Sequence, residues 1–161
     1  MMESFVECDD VFDFSGCVDA FKADEHSYNG LSLVDFVVET SDKYLLIEVK
    51  NADSDKAKMH SEREDFISSP SVFADKICRK FRDTLLSELA KGKKFPLPIT
   101  YILLLEFSKF DMQQRRKLLE SMRSRIPELA ESEYTAVKSI GYVIYNFDEF
   151  QAEYSTFKIT S

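Results

Sequence analysis

Two carboxylates and a lysine lie in neighbouring apolar runs of this chain, and together they could serve hydrolytic chemistry. Asp35 lies in LVDFVVE, and Glu48 and Lys50 lie in YLLIEVK. Carboxylate oxygens are the ligands that Mg²⁺ prefers, and a bound divalent ion can stabilise charge on a phosphoryl group and activate a water. A lysine beside the ion can orient or help to deprotonate that water, or stabilise the transition state. The three residues therefore predict a site for metal-dependent phosphodiester hydrolysis.

The elements that must position this site are two predicted strands, residues 33–39 and 44–50. The segment TSDK between them is rich in turn-forming residues, so the strands should form an antiparallel hairpin. Both faces of the hairpin are largely apolar, which is typical of a sheet that is covered on two sides. One face is predicted to hold Val34, Phe36, Val38, Leu45, Ile47 and Val49.

The register of this hairpin brings the two carboxylates together. If Glu39 pairs with Tyr44, Asp35 lies directly opposite Glu48. Lys50 projects from the same face as Glu48, because side chains alternate along a strand. Like charges on directly opposed residues, with Cβ atoms about 5 Å apart, destabilise a sheet. A cation bound between the two carboxylates would reverse that effect.

The segment before the hairpin predicts a helix. Phe14, Cys17, Val18 and Phe21 follow one another at the spacing of one helical face, which favours a helix over residues 13–25. A strand ending near Phe14 is the alternative, because Phe12 and Phe14 alternate with an aspartate.

The segments after the hairpin predict further helices and strands. Residues 51–68 are polar and predict a loop or a helix, and Ser69 and Pro70 are suited to begin the next helix. That helix should end near Gly92 and carry the apolar stripe Phe73, Ile77, Phe81, Leu85 and Leu89, widened by Ala74, Cys78 and Leu86. The remaining elements are a strand at 99–107, a helix with Leu118, Leu119, Met122 and Ile126 on one face, and strands at 140–147 and 156–160. This order predicts a single α/β domain of 161 residues around a mixed sheet.

Charge is distributed unevenly along the chain. Residues 1–75 hold 6 Lys and Arg against 18 Asp and Glu, whereas residues 76–125 hold 13 against 5. A basic surface beside a cation site suits an enzyme that acts on a phosphate backbone, and two solvated Lys- and Arg-rich helices are the alternative.

The three cysteines form no CxxC pair, and the chain has no apolar segment of membrane-spanning length and no basic, apolar leader, so we expect reduced thiols in a cytoplasmic protein.

The arrangement VDF, then EVK in a following antiparallel strand, resembles the core motif of the PD-(D/E)XK nuclease superfamily. The spacing between Asp35 and the motif Glu48–Lys50 is particularly similar to that of archaeal Holliday-junction resolvases. The likeness covers residues 13–147. The resemblance implies a restriction-endonuclease-like mixed β-sheet core flanked by helices on both faces. It also implies a Mg²⁺- or Mn²⁺-dependent endonuclease that acts on DNA more readily than on RNA, and family members of this size often form homodimers.

Site roles follow from the same resemblance. Asp35 and Glu48 would bind the metal with the Val49 backbone carbonyl, and Lys50 would be catalytic. The family often places another acidic residue on its first helix, where Asp24 is the first candidate and Asp19 and Asp13 are alternatives. Lys76, Arg79 and Lys80 on the next helix are the candidates for phosphate contacts.

Two other interpretations remain open at this stage. Asp35 and Glu48 could form a structural cluster at the end of a sheet, neutralised by Lys50. The whole chain could instead be a catalytically inactive nuclease-fold module that acts as a protein-interaction or regulatory subunit. An open cleft in which the three side chains converge would favour the enzyme over both.

Overall fold

Two β-sheets and the helices packed on them form the described part of the fold. The computed structural model describes residues 4–26, 30–54, 66–126, 129 and 136–161. The strands are β1 (Ser4–Glu7), β2 (Asp10–Asp13), β3 (Asp19–Lys22), β4 (Phe36–Glu39), β5 (Tyr44–Asn51), β6 (Ile99–Glu106), β7 (Ile140–Tyr145) and β8 (Lys158–Thr160). The helices are α1 (Pro70–Ala90), α2 (Met112–Arg123) and α3 (Phe147–Glu153), and a 3₁₀ turn spans Asp24–His26.

The larger sheet is mixed and has the strand order β3-β4-β5-β6-β7. Strands β3, β4 and β5 pair antiparallel, whereas β5, β6 and β7 pair parallel. Each parallel connection passes through a helix, α1 between β5 and β6 and α2 between β6 and β7. Right-handed crossovers that step along a sheet in one direction leave their helices on one face, and both helices indeed contribute to the same buried cluster. The prediction of an α/β domain with a mixed sheet is confirmed.

Helix α1 buries the apolar stripe that its sequence predicts. Phe73, Ile77 and Phe81 are buried against the sheet, and Ile77 also accepts a hydrogen bond of 2.8 Å from the Tyr101 hydroxyl of β6. Leu86, which was expected to widen the stripe, is 59% exposed. The helix begins at Pro70 as predicted, although the hydroxyl of the preceding serine makes no capping hydrogen bond.

The second face of the large sheet is covered by β-structure as well as by a helix. Strands β1, β2 and β8 form a separate antiparallel sheet that packs there together with α3. The expectation of helices on both faces is therefore only partly right. Most of this second core is aromatic and aliphatic, and it contains Phe12, Phe14, Phe36, Phe150, Phe157, Val38, Leu45, Ile47 and Val49. Val34, which was predicted on this face, belongs instead to the core under α1.

The helix predicted over residues 13–25 is wrong, because two strands and a turn occupy that segment. Asp13 accepts hydrogen bonds from the backbone and the hydroxyl of Ser15, and Gly16 has a φ of 89°, a conformation that favours glycine. The chain therefore turns between β2 and β3 and passes from the small sheet to the large one. Phe14 is buried, whereas Val18, on the same supposed helical face, is 64% exposed. The alternative of a strand ending near Phe14 is confirmed.

The other predicted elements agree with the structure at their centres and differ at their ends. The strand predicted to reach Phe147 ends at Tyr145, because Asn146 caps α3. The Asn146 side chain accepts from the Glu149 N–H at 2.8 Å, and the Glu149 carboxylate accepts from the Asn146 N–H at 2.9 Å. Within the predicted polar segment, residues 55–65 lie outside the described residues. In the described ranges, no helix combines the length and apolarity needed to cross a membrane.

Candidate active site

The hairpin β4–β5 has the predicted register. Glu39 pairs with Tyr44 and Phe36 with Ile47, where the ladder ends. Asp35 is therefore one residue beyond the last pair and is not itself part of the ladder. Its Oδ2 atom instead accepts a hydrogen bond of 2.6 Å from the backbone N–H of Val49. This bond holds the Asp35 side chain against the end of β5 in place of a further backbone pair.

The Val49 carbonyl also faces this end of the hairpin. In an antiparallel pair the N–H and C=O of one residue point to the same side of the strand. Since the Val49 N–H points to Asp35, beyond the end of β4, the Val49 carbonyl points to that side too. The role of this oxygen as a metal ligand stays a prediction.

Both carboxylates are buried and are paired with lysines. The Glu48 side chain is fully buried, and Asp35 is 3% exposed. Glu48 Oε1 lies 2.9 Å from Lys50 Nζ and 2.8 Å from Lys80 Nζ, which comes from α1. Lys80 Nζ also donates to Glu48 Oε2 at 3.0 Å and lies 3.7 Å from Asp35 Oδ1. Charge is thus balanced within a group of four residues.

The contacts of Glu48 Oε1 are electrostatic rather than directional. Both ammonium groups lie within 3 Å of this buried oxygen, yet neither meets the angular requirements of a hydrogen bond to it. At these short distances both ammonium groups still attract the Glu48 carboxylate, because Coulomb attraction does not depend on those angles.

Burial and neighbouring charges perturb the ionisation of two members of this group. Burial, and then the negative charge of Glu48, raise the pKa of Asp35 well above its usual range. Burial alone would lower the pKa of Lys80, but the carboxylates of Glu48 and Asp35 outweigh it and raise that pKa. Lys80 therefore remains an ammonium, whereas ionisation of Asp35 is costly.

Asp24 and Glu7 bring two further carboxylates to Asp35. Asp24 lies in the 3₁₀ turn that follows β3, and Glu7 is the last residue of β1. One oxygen from each of the three carboxylates lies within 4.8 Å of the other two. Asp24 Oδ1 is buried without a hydrogen-bond partner among the described residues, whereas Glu7 forms an ion pair of 2.9 Å with Lys22.

The four acidic residues and the lysines line one cavity of about 360 Å³. The cavity is also lined by Lys76 and Arg79 of α1, so all three candidates for phosphate contacts are beside it. Arg79 is additionally paired with Asp83 at 3.4 Å. Asp13 and Asp19, the alternatives to Asp24, are absent from the described lining.

Cys8, which follows Glu7 in the chain, also lines the cavity. Its φ of 52° is uncommon for a residue with a side chain. Burial, with the charges of Glu7 and Asp35, raises the pKa of this thiol to about 12, so it is not a thiolate at neutral pH.

Sequence reasoning missed the role of Lys80 and the presence of Glu7. Lys80 lies seven residues after Phe73 and three after Ile77, which puts it on the buried face of α1, where a lysine needs an acidic partner. That signal was present in the sequence. Glu7 carried no comparable signal, because its approach depends on how the two sheets pack.

No protein-family model matches this chain, and no curated protein and no solved structure matches it significantly. The chemistry of the site must therefore be judged from its own geometry.

Proposed function

We propose that this chain is a metal-dependent nuclease of the PD-(D/E)XK superfamily that cleaves DNA endonucleolytically with Mg²⁺ or Mn²⁺. The observation that carries the proposal is the convergence of Asp35, Glu48 and Lys50 at the end of one hairpin, in a cavity that basic residues of α1 also line. The succession of the hairpin, α1, β6, α2 and β7 in and on a mixed sheet supports a restriction-endonuclease-like core.

The residues present fit a hard divalent cation. Asp35, Glu48 and Asp24 offer carboxylate oxygens, and the Val49 carbonyl faces the same end of the hairpin. One of these atoms, Asp24 Oδ1, is buried without a hydrogen-bond partner among the described residues, which is costly unless a ligand completes it. Mg²⁺ and Mn²⁺ favour such all-oxygen donor sets. When bound, the ion would stabilise charge on the phosphoryl oxygens and increase the acidity of a water.

The protein residues would hold and orient the reacting groups. Lys50 Nζ lies 2.9 Å from Glu48 Oε1, where it can orient the attacking water or stabilise the developing negative charge. Lys76 and Arg79 on the cavity wall would attract the phosphate backbone and position it. We therefore place the nucleic acid along α1, beside Lys76 and Arg79.

Cleavage assays test this proposal directly. Purified protein should nick or cut plasmid DNA with Mn²⁺ or Mg²⁺ and should be inactive with a chelator. Glu48→Gln and Asp35→Asn should each reduce the rate by at least roughly a hundredfold, since each removes a charged ligand. Lys50→Met should reduce it by about 10²–10⁴-fold, the range of a positioned proton donor or acceptor.

Glu153→Gln is the matched control for these variants. Glu153 is exposed on α3 and does not line the cavity, so this variant should cleave like the wild type. Single-stranded DNA and RNA substrates in parallel reactions would define the class of nucleic acid. Absence of cleavage of every substrate with every divalent ion, or full activity of Glu48→Gln, would overturn the proposal.

The second candidate is the inactive nuclease-fold module. It is favoured by one observation, the balance of Asp35 and Glu48 by Lys50 and Lys80, which stabilises the site without an ion. This module would be folded, would not cleave nucleic acid and would bind no divalent ion at the cavity. Ion binding measured by calorimetry, with Glu48→Gln as the control, separates the two candidates.

A further inference from the structure

Lys80 bridges the two carboxylates at the centre of the site. Its Nζ atom lies 2.8 Å and 3.0 Å from the two oxygens of Glu48 and 3.7 Å from Oδ1 of Asp35. It reaches them from α1, whereas Glu48 belongs to β5. The ammonium therefore lies where a cation shared by these two carboxylates would lie.

An ammonium and a divalent ion cannot occupy this position together. Positive charges only a few ångströms apart repel each other strongly in a site shielded from water, and the carboxylate oxygens that Lys80 contacts are those that the ion would need. We propose that Lys80 is an exchangeable internal cation, which a divalent ion must displace to bind Asp35 and Glu48 together. This inference rests on the proposed function for its ion, and it adds a regulatory contact to the same site.

The surroundings of Lys80 allow this exchange. Its side chain is 23% exposed, so the ammonium is not sealed inside the protein. Lysine carries a compact charge on a flexible four-carbon stem, and the α1 wall of the cavity also presents Lys76 and Arg79. A displaced Lys80 ammonium would thus join two other cations beside the position proposed for the phosphate backbone. Displacement would move the Lys80 ammonium away from the two carboxylates that it neutralises and bring it to the phosphate backbone of the substrate.

Another cation position would leave Lys80 undisturbed. An ion held by Glu7, Asp24 and Asp35 would use the other acidic group of the cavity and would not require the oxygens of Glu48. The two positions make different predictions for variants of Lys80, so one titration distinguishes them.

Calorimetric titration of Mn²⁺ into the 161-residue protein is the first test. Suppose that Lys80 has left the two carboxylates in about one wild-type molecule in ten or fewer. The apparent Mn²⁺ affinity of the wild type is then about tenfold or more weaker than that of a site without Lys80. Lys80→Met should therefore bind Mn²⁺ at least roughly tenfold more tightly than the wild type. Lys76→Met is the matched control, because it removes an equal charge from the same cavity wall, one helical turn earlier. Its affinity should rise much less.

Two results of the Mn²⁺ titration would overturn the inference. If Lys80→Met binds Mn²⁺ no more tightly than Lys76→Met, Lys80 does not compete with the ion. Failure of both the wild type and Lys80→Met to bind Mn²⁺ would overturn it as well. Binding by Lys80→Met alone would support it, because the competitor would then be stronger than the ion.

A measurement on the wild type protects the test against a variant that does not fold. Lysines labelled with ¹³C at Cε can be followed by NMR during titration with Mg²⁺, which is diamagnetic, and Lys80→Arg identifies the Lys80 signal. That signal should shift in proportion to ion occupancy, and Glu7→Gln should not prevent the shift. An unmoved Lys80 signal at saturating Mg²⁺ would refute displacement. Both tests are independent of cleavage, so loss of the nuclease proposal and loss of this inference can be told apart.

Discussion

Replacing Glu48 by glutamine should destabilise the metal-free protein by about 2–3 kcal/mol. Glu48 is fully buried and faces the ammonium groups of Lys50 and Lys80 at 2.9 Å and 2.8 Å. Removing one partner of a buried ion pair typically costs about 3–5 kcal/mol, because the other charge is left uncompensated. Two features reduce that value here. The lysine side chains are 15% and 23% exposed, and Lys80 retains Asp35 at 3.7 Å.

Urea denaturation with a chelator present measures this effect. Glutamine has nearly the shape of glutamate, so the change in unfolding free energy reports the charge and not a cavity. The midpoint should fall while the slope stays constant. Combining Glu48→Gln with Lys80→Met in a double-mutant cycle should give a coupling energy of about 1–2 kcal/mol. The exposed Glu153→Gln should change stability by less than about 0.5 kcal/mol.

An increase in the free energy of unfolding on Glu48→Gln would refute this reasoning. The sequence alone places Asp35 against Glu48 and suggests that repulsion between them dominates, in which case Glu48→Gln would stabilise the metal-free protein. The structure adds Lys80 and reverses that expectation. A Glu48→Gln protein as stable as the wild type, or more stable, would mean that the two lysines do not compensate the buried carboxylate.

Two other predictions concern Asp35 and Thr84. Because burial and then Glu48 raise the pKa of Asp35, the folded protein binds its proton more tightly than the unfolded chain does. The free energy of unfolding of the wild type should therefore fall, relative to that of Asp35→Asn, as pH rises from the ordinary aspartate pKa of 3.8 through the raised pKa. Urea titrations from acidic to neutral pH would contradict this if the difference stayed constant. Thr84→Val should cost about 1–3 kcal/mol by the same assay, because it leaves the buried Val34 N–H, now bonded to Thr84 Oγ1 at 2.9 Å, without an acceptor; an unchanged midpoint would refute this.

The hairpin could be predicted from the sequence because its register is determined locally. The Thr40 hydroxyl accepts from the Lys43 N–H at 3.1 Å and donates to its carbonyl at 3.0 Å, so the turn residues themselves set the pairing of Glu39 with Tyr44. Since alternate side chains of the strands belong to two different cores, a shift by one residue would move each of them to the wrong core. Local chemistry and burial thus agree on one register.

The N-terminal segment could not be predicted in the same way. Its spacing of apolar residues fits a helix, but the two strands there are stabilised by long-range pairing, β2 with β8 and β3 with β4. Tertiary pairing of this kind overrides a short local period. The error had a direct consequence for the site, because Asp24 was expected on a helix and Glu7 was not considered. Asp24 reaches Asp35 because β3 pairs with β4 in the large sheet, and Glu7 reaches it because the small sheet packs against the large one.

Asp35 connects the two halves of the site. Its Oδ2 atom is fixed by the Val49 N–H, and its Oδ1 atom lies near Lys80. The Asp35 side chain also belongs to the acidic group with Glu7 and Asp24. One oxygen can therefore keep the side chain in position while the other exchanges an ammonium for a metal ion. Under the proposed exchange, the hydrogen bond from Val49 would keep the Asp35 side chain in position while the neighbouring cation changes.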